Sequence, residues 1–512
     1  MSTEEKVVFL EKKVVNLESE NRQLHDTVAF LTHQLYGRKT EKTSSLGIPG
    51  QMSLFDEIEQ TCSSEVQKPI QKDKKSSTQK KQPGHKKELL DTLPHEKVLL
   101  SISETQKICD VCGNERIPVG EELIRSEVEY IPAQLKVIDY YQETYECLEC
   151  RKNTGNGMVK SDLLNPLILH SYASASLVSS ILHQKFELAI PLYHQEKEWK
   201  NLGLPLTRET MSNWGMIVYR DWLEPMVQVF QKELLRKRHL HADETPVQVL
   251  NEPGRKNTTE SYMWLYCTGI HEDHAIRIFD YKPGRSGKYP REYLQGFKGF
   301  LHTDAYAGYE KVANITRCFC WTHLRRYFVD AIPKDTTNVD ATIAAKAIHY
   351  INKLFEYEKE YSVLSTDERK AKRLAVELPY LEEFWSWIKA TQGEILPKSK
   401  LGQAFGYALA QETGLMNYLK DGDTEISNNL AENSIRPFTV GRKNWLFSGS
   451  PKGATTSAGI YTIVETAKAN EINPQKYIEY LLKTLPNVPF LQRPELLLEF
   501  VPWNETIKNR CK

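Results

Sequence analysis

Two acidic residues in the second half of the chain offer the chemistry of a divalent-cation site. Asp243 lies in residues 241–250, whose pattern predicts a strand, and Asp304 ends a second predicted strand at residues 299–304. Neighbouring carboxylates repel each other, and a divalent cation removes that cost. Magnesium binds a few carboxylates together with waters and phosphate oxygens. The pair therefore predicts a magnesium-dependent reaction at a phosphate group.

A third carboxylate is expected further along the chain, and Glu432 is the candidate. It lies in a predicted helix that Pro437 helps to end. Glu244 and Glu425 are rival candidates, and Asp304 could instead cap a turn. Any one of the 67 acids is most often a surface charge, so the interpretation depends on the set and its order along the chain.

The elements between the first two acids predict how the acids are brought together. Strands are predicted at residues 262–268 and 275–281, and a helix is predicted at residues 290–296. Three strands, a helix and a fourth strand are the order of a ribonuclease H-like core. In that order, the first three strands pair antiparallel and the fourth strand is a parallel neighbour in the same sheet. Asp243 and Asp304 should therefore lie side by side.

Two Cys-x-x-Cys pairs, Cys109 with Cys112 and Cys147 with Cys150, are separated by 34 residues. The stretch between them includes a predicted strand at residues 140–145. Four thiolates suit a closed tetrahedral zinc site, which leaves no coordination position for catalysis. Two unrelated reduced pairs are the alternative. The spacing favours one structural zinc ion.

A heptad repeat occupies the first 36 residues. One apolar seam begins at Val7 and includes Asn21, and the second seam carries leucine from Leu10 to Leu31. β-Branched residues on one seam and leucine on the other favour a parallel two-stranded coiled coil, in which a lone asparagine fixes the register. We therefore predict a homodimer or higher oligomer through this zipper, rather than a single helix packed on its own protein.

The charge of the chain is balanced overall but not locally. Lys+Arg and Asp+Glu number 67 each, yet residues 68–87 hold eight lysines and one acid. This stretch lies in residues 37–95, which predict a basic flexible linker. The polar N-terminus is unlike a secretory signal, and no apolar run is long enough to span a bilayer. We therefore expect a cytoplasmic, nucleoid-associated protein.

A helical region follows the cysteine pairs. Helices are predicted at residues 173–186 and 191–201, and Thr207 should cap a third helix that begins at Arg208. Two helices, a turn at Gly203 and a third helix with a polar face fit a helix-turn-helix. A plain helical bundle fits these features equally well.

Over nearly its whole length the chain resembles the transposases of the insertion-sequence-66 family. The motifs that carry the resemblance are residues 35–42, 129–137, 242–246, 303–309, 320–326, 428–437 and 441–447. The resemblance implies a DDE-type transposase whose catalytic acids match Asp243, Asp304 and Glu432. It implies that these acids hold two Mg²⁺ or Mn²⁺ ions, and that a helical insertion separates the second acid from the third.

The motif from Cys320 to His323 resembles a short one found after the second acid in several transposase groups. One interpretation is that it orients the insertion or contacts the DNA end. The other is a buried strand with Cys318 and Cys320 on one side. Two further ligands are not evident nearby in the sequence, and zinc is therefore not predicted here.

Together these patterns predict a multidomain protein of α/β and α regions. We expect a coiled-coil zipper (1–36), the basic linker (37–95), a zinc-binding module (96–160), a helix-turn-helix-like region (165–234), a ribonuclease H-like catalytic core (235–327 and 423–450), a helical insertion (328–422) and a C-terminal helical region (451–512).

Double-stranded DNA, as terminal inverted repeats and target, is the predicted partner. Basic, polar and aromatic side chains suit phosphate contacts and base stacking. The candidates are Arg208, Asn213, Arg325, Arg326, Arg436, Arg442, Lys443 and Trp445. The predicted function is metal-dependent cleavage and strand transfer at the ends of a bacterial insertion sequence, and the resemblance suggests small accessory proteins. A DNA-binding regulator, a nuclease without strand transfer and a defective copy are the alternatives.

Overall fold

The computed structural model describes residues 133–146, 158–162, 164–333, 336 and 338–512. The predicted zipper, the predicted linker and all four cysteines of the predicted zinc site lie outside the described residues. Among the described helices, none is both long enough and apolar enough to cross a membrane. The hydrophobic core combines residues of the sheet with residues of the helices that precede it, from Leu167, and of the C-terminal helices, up to Cys511.

Two short strands flank the second predicted cysteine pair in the sequence. Strands Thr144–Glu146 (β1) and Met158–Lys160 (β2) pair antiparallel. The prediction of a strand at residues 140–145 is wrong for residues 140–143, which have no regular secondary structure. Alternating side chains favour a strand when one face is buried, but Tyr140 and Tyr141 are 85% and 90% exposed.

Within residues 164–238, which the structure describes, four α-helices precede the central sheet. They are Ala175–Phe186 (α1), Leu192–Asn201 (α2), Arg208–Val218 (α3) and Glu224–Leu234 (α4). The Thr207 hydroxyl accepts a hydrogen bond from the Thr210 N–H at 3.3 Å, which confirms the predicted cap. Gly203 has φ +89°, a left-handed conformation that glycine adopts without strain. The chain therefore turns between α2 and α3 where the sequence predicts it.

The central sheet has a mixed topology. Its main strands are His239–Val249 (β3), Glu260–Thr268 (β4), Arg277–Lys282 (β5), Gly299–Thr303 (β6) and Ile315–Phe319 (β7), and helix Lys288–Tyr293 (α5) connects β5 to β6. The strand order is β5-β4-β3-β6-β7. β4 runs antiparallel to β3 and β5, whereas β6 is parallel to both β3 and β7. The longest strand, β3, therefore lies at the centre of the sheet.

Helices fill the region after β7. They are Trp321–Asp330 (α6), Ile343–Tyr361 (α7), Thr366–Lys372 (α8), Leu378–Thr391 (α9) and Lys400–Met416 (α10). Arg373, which is 1% exposed, donates two hydrogen bonds to the Glu358 carboxylate at 2.7 and 2.6 Å. It also donates to the carbonyls of Tyr418, Asp421 and Thr424. This buried guanidinium ties the helices to the segment that returns the chain to the sheet.

The helix that carries Glu432 spans Asn429–Trp445 (α11). The prediction that Pro437 helps to end this helix is wrong, because Pro437 lies in its interior. Proline removes one backbone hydrogen bond there. The helix continues because Ala431, Ile435, Phe438 and Gly441 are buried along one face, on both sides of the proline. Tertiary packing therefore overrides the local preference.

The C-terminal elements belong to the same core as the sheet. They are Phe447–Ser448 (β8), Pro451–Ala469 (α12), Pro474–Thr484 (α13) and Glu505–Cys511 (α14), and β8 pairs in parallel with β3. The hydroxyls of Thr462 and Thr466 on α12 accept hydrogen bonds from the N–H groups of Phe279 and Arg277 on β5. These bonds cover the edge strand of the sheet, which would otherwise present unpaired donors.

Candidate active site

Parallel pairing of β3 and β6 places Asp243 beside Asp304. His241 lies opposite His302 in this register, and the two rings stack with centroids 4.2 Å apart. Each acid follows its histidine by two residues, and side chains two apart in a strand share a face. Asp304 lies just beyond β6, where its Oδ1 accepts the Tyr306 N–H at 3.0 Å. Asp304 therefore shapes a turn and also faces the same region as Asp243.

The environment of Asp243 favours its neutral form. Burial is the main cause that raises the pKa of Asp243 well above its usual value, and the negative charges of Glu244, Glu432 and Asp304 add to it. A hydrogen bond at 2.8 Å from the Glu244 N–H acts in the opposite direction. A divalent cation relieves such an excess of negative charge, and these residues therefore fit a metal ion with oxygen ligands.

The Glu432 carboxylate faces α6 as well as the other acids. Its Oε1 lies 3.7 Å from His323 Nδ1, and its Oε2 lies 3.8 Å from Arg326 Nη2. Across the part of the chain that the structure describes, one trio of ligand-type side chains has its ligand atoms within 4.8 Å of one another, and it is Cys320, His323 and Glu432. The three acids do not form such a trio, although the charge of Glu432 reaches Asp243.

The rival acid Glu244 holds an arginine in place. Its Oε1 accepts hydrogen bonds from Arg285 at 2.7 and 2.6 Å, and its Oε2 accepts the Tyr309 hydroxyl at 2.6 Å. The Arg285 guanidinium lies over the Tyr306 ring at 4.1 Å and 3.8 Å from Asp304 Oδ2. Because this carboxylate is buried and already paired, its contacts indicate that it positions Arg285 next to Asp304.

Asn428, which the sequence analysis did not single out, connects three segments around the acids. Its amide donates to the Ala242 carbonyl at 3.0 Å, and its Oδ1 accepts from His241 Nδ1 at 3.0 Å. Its backbone N–H donates to Cys320 Sγ at 3.1 Å, and its carbonyl accepts the Glu432 N–H at 3.2 Å. The strand of Asp243 and the first turn of the helix of Glu432 are thus joined through one buried residue. In the sequence, the only indication of this role was the pair Asn428 and Asn429 at the start of a predicted helix.

Glu425, the second rival acid, anchors the same segment to β3. Its Oε1 accepts hydrogen bonds from His241 Nε2 at 2.9 Å and from the Ile270 N–H at 3.2 Å. Its backbone N–H donates to His302 Nε2 at 2.9 Å. Both ring nitrogens of His241 face side-chain oxygens, Nδ1 that of Asn428 and Nε2 that of Glu425. Glu425 therefore helps to fix the position of the His241 ring.

Glu425 should contribute stability that depends on pH. Burial raises its pKa, but the charge and hydrogen bond of His241, the charge of His302 and the Ile270 N–H together hold the pKa at about 2, below the usual 4.5. A carboxylate whose pKa is lower in the folded state stabilises the fold at pH values above its unfolded-state pKa. This stabilisation is lost as the pH falls towards the folded-state pKa. We expect the wild type to lose roughly 3 kcal/mol through this group between about pH 5 and pH 2.

Urea unfolding at several pH values checks this expectation. The variant Glu425→Gln should lose less stability over that interval than the wild type. The matched control Glu495→Gln alters an exposed glutamate, and its pH dependence should follow the wild type. Equal pH dependence in Glu425→Gln and the wild type would contradict the assignment.

Several predicted DNA contacts lie on the surface. Arg208 and Asn213 are exposed on α3, where Arg208 pairs with Glu209 at 3.0 Å. Arg326 and Lys443 are exposed on α6 and α11. The polar face predicted for the third helix of the helical region is therefore present in the structure.

Other predicted DNA contacts have partners inside the protein. Arg325 donates to Asn352 at 2.8 Å, and Arg442 donates to the Thr245 hydroxyl at 3.0 Å and to the Pro246 carbonyl. Arg436 is partly buried. The ring of Trp445 lies 6.3 Å from that of Tyr461. Arg325, Arg442 and Trp445 thus contact other parts of the protein, a role that single residues in the sequence do not reveal.

Comparisons with known protein families agree with the resemblance seen in the sequence. Residues 170–456 match the model described as "Transposase IS66 family". Residues 106–151, which contain the four cysteines of the predicted zinc site, match "zinc-finger binding domain of transposase IS66". Residues 23–98 match "Transposase C of IS166 homeodomain". The three matches together span most of the chain.

Two curated relatives from Sinorhizobium fredii (strain NBRC 101917 / NGR234) align along most of their length. "Uncharacterized protein y4hP" is 26% identical over 92% of this chain and 87% of its own. "Uncharacterized protein y4qI" is 26% identical over 96% of this chain and 92% of its own. The similarity to each of these relatives therefore extends over more than nine-tenths of this chain.

Proposed function

The chain belongs to the IS66 transposase family, and we propose that it catalyses metal-dependent cleavage and strand transfer at the terminal inverted repeats of a bacterial insertion sequence. The observation that carries this proposal is the parallel register of β3 and β6, in which His241 pairs with His302, two residues before Asp243 and Asp304 respectively. The charge of Glu432 acts on the same group. We assign these three acids as the catalytic set of a DDE transposase.

The sheet supports a ribonuclease H-like catalytic core. Three consecutive strands, β3 to β5, pair antiparallel, and β6 and β7 then continue the sheet in parallel on the other side of β3. The first acid lies on the central strand and the second lies at the end of its parallel neighbour. The helices α7 to α10 then form the insertion that precedes the third acid.

Asp243, Asp304 and Glu432 would hold two Mg²⁺ or Mn²⁺ ions. When bound, such ions activate an attacking water or DNA 3′-hydroxyl and stabilise the leaving oxygen. Arg285, held by Glu244, places a positive charge next to Asp304, where it would meet a phosphate oxygen. No serine or tyrosine nucleophile is required.

The remaining parts of the proposal concern DNA binding and assembly. A structural zinc ion held by Cys109, Cys112, Cys147 and Cys150 would shape the module that matches the zinc-finger model. The exposed face of α3 would contact the terminal repeats, and the basic linker would contact phosphates without sequence preference. The N-terminal zipper would bring two protomers and two DNA ends together. Small accessory proteins encoded by the same element would complete the active assembly.

A strand-transfer assay tests the proposed function. Purified full-length protein is incubated with Mg²⁺ and a duplex that carries the terminal repeat from the DNA flanking this gene. We expect cleavage at the repeat end and joined products on a gel, and neither product in EDTA. Binding without cleavage would favour a DNA-binding regulator or a defective copy, and cleavage without joining would favour a nuclease. Both of these outcomes contradict the proposal.

A further inference from the structure

Three side chains with different ligand atoms converge next to the carboxylates. Cys320 is the N-cap of α6, His323 lies in the first turn of that helix, and Glu432 lies in the first turn of α11. Their Sγ, ring nitrogen and carboxylate oxygen all lie within 4.8 Å of one another. The sequence shows the first two at a ligand-like spacing, and the fold supplies the third from more than 100 residues away.

Two of these ligand atoms are buried without a hydrogen-bond partner. They are Nδ1 of His323 and Oε1 of Glu432, and they lie 3.7 Å apart. Buried polar atoms normally have a partner, and an orphaned pair indicates a missing ion or water. Nitrogen and oxygen ligands of a tetrahedral zinc ion lie ~3.3 Å apart, since each is ~2 Å from the metal. The observed separation therefore admits an ion after a small adjustment.

A backbone donor fixes the position of the Cys320 sulfur. Its Sγ accepts the Asn428 N–H at 3.1 Å, while burial raises the pKa of the Cys320 thiol to about 11. A donor of this kind orients the sulfur, as partners of metal ligands usually do. Cys318, two residues earlier, is also buried but belongs to β7 and is not part of the trio.

We propose that Cys320, His323 and Glu432 bind one zinc ion. A thiolate, an imidazole and a carboxylate together select a borderline-soft ion such as zinc over magnesium, and three protein ligands leave one position for water. This site is separate from the zinc predicted at the four N-terminal cysteines. The zinc ion would use Oε1 of Glu432, and Oε2 would remain for the metal ions that Glu432 shares with Asp243 and Asp304. The inference shares Glu432 with the proposed function but does not require that function.

Zinc content tests the site in the full-length protein. In a background with Cys109→Ser, Cys112→Ser, Cys147→Ser and Cys150→Ser, which removes all four N-terminal ligands, we expect one zinc per chain by mass spectrometry of the metal. The count should fall to zero in Cys320→Ser and in His323→Ala. The matched control Cys318→Ser should retain one zinc, and circular dichroism shows that each variant is folded.

Cobalt provides a second measurement on the same proteins. Co²⁺ bound by a thiolate gives a charge-transfer band in the near ultraviolet, which should vanish in Cys320→Ser and persist in Cys318→Ser. Zinc content and cobalt spectra that are the same in all folded variants would overturn the site. DNA is absent from both measurements, so the two proposals fail separately. If the protein binds this zinc but cuts no DNA, the zinc site stands and the proposed function is contradicted.

Discussion

Asp243→Asn should reduce DNA cleavage by about 10³-fold or more while the protein still binds the terminal repeat. Metal ions at phosphoryl centres supply several kcal/mol of transition-state stabilisation, and ~4 kcal/mol corresponds to ~10³ in rate. An amide keeps the shape of the side chain but loses the charge that holds the ion. Asp304→Asn and Glu432→Gln should behave in the same way. Cleavage is measured on gels and binding by gel shift, and retained cleavage in any one variant would remove that residue from the set.

The same Asp243 substitution should stabilise the fold in EDTA. Its folded-state pKa is raised by burial and by the charges of Glu244, Glu432 and Asp304. Because its pKa is higher in the folded state, the Asp243 carboxyl contributes its full stability at pH values below its unfolded-state pKa. That contribution is lost as the pH rises through its folded-state pKa. At neutral pH the charge therefore destabilises the protein, and asparagine removes it. Thermal unfolding should show a higher midpoint for the variant than for the wild type.

Asp280→Asn is the matched control for the loss of cleavage. Asp280 is a buried acid of β5 whose pKa is also raised by burial, although Lys282 opposes the shift. Its charge is not among those that act on Asp243. Cleavage should therefore stay close to that of the wild type. An equal loss of cleavage in Asp280→Asn would show that the sheet, rather than the candidate site, is sensitive to charge removal.

Asn428→Ala should cost about 2–4 kcal/mol of unfolding free energy. The substitution leaves the Ala242 carbonyl and His241 Nδ1 without their buried partner, and each such loss typically costs ~1–3 kcal/mol. It should also slow cleavage by roughly 10–100-fold, the usual effect of removing a group that orients a metal ligand. Urea unfolding and the gel assay measure the two effects.

The neighbouring residue provides the control. Asn429 has the same side chain, but its Oδ1 is buried without a hydrogen-bond partner. Asn429→Ala should therefore destabilise the protein far less than Asn428→Ala. If the two variants lose equal stability, the contacts of Asn428 do not hold the helix of Glu432 in place.

Features that depend on nearby residues were predictable from the sequence. The cap at Thr207 and the turn at Gly203 depend on side chains and backbone preferences within a few residues. Hydrophobic periodicity likewise located the strands that carry Asp243 and Asp304, and the parallel pairing of those strands agrees with the predicted order. Local signals therefore account for most of the helices and strands.

Features that depend on distant segments were not predictable from the sequence. Pro437 ends a helix by local rules, but the buried face of α11 extends past it. The contacts of Asn428 join residues that are more than 100 positions apart. The proximity of Glu432 to Cys320 and His323 likewise depends on how the insertion packs. Such contacts are set by tertiary structure, and no single stretch of sequence encodes them.

The contacts of buried Arg373 bear on which acids are in place while the chain is being synthesised. Its bonds to Tyr418, Asp421 and Thr424 hold the segment that leads to Glu432, and they require the chain to be made as far as Thr424. Asp243 and Asp304 leave the ribosome much earlier. A chain that is cut short within the insertion therefore carries these two acids without Glu432. Under the proposed function, such a chain should cut no DNA.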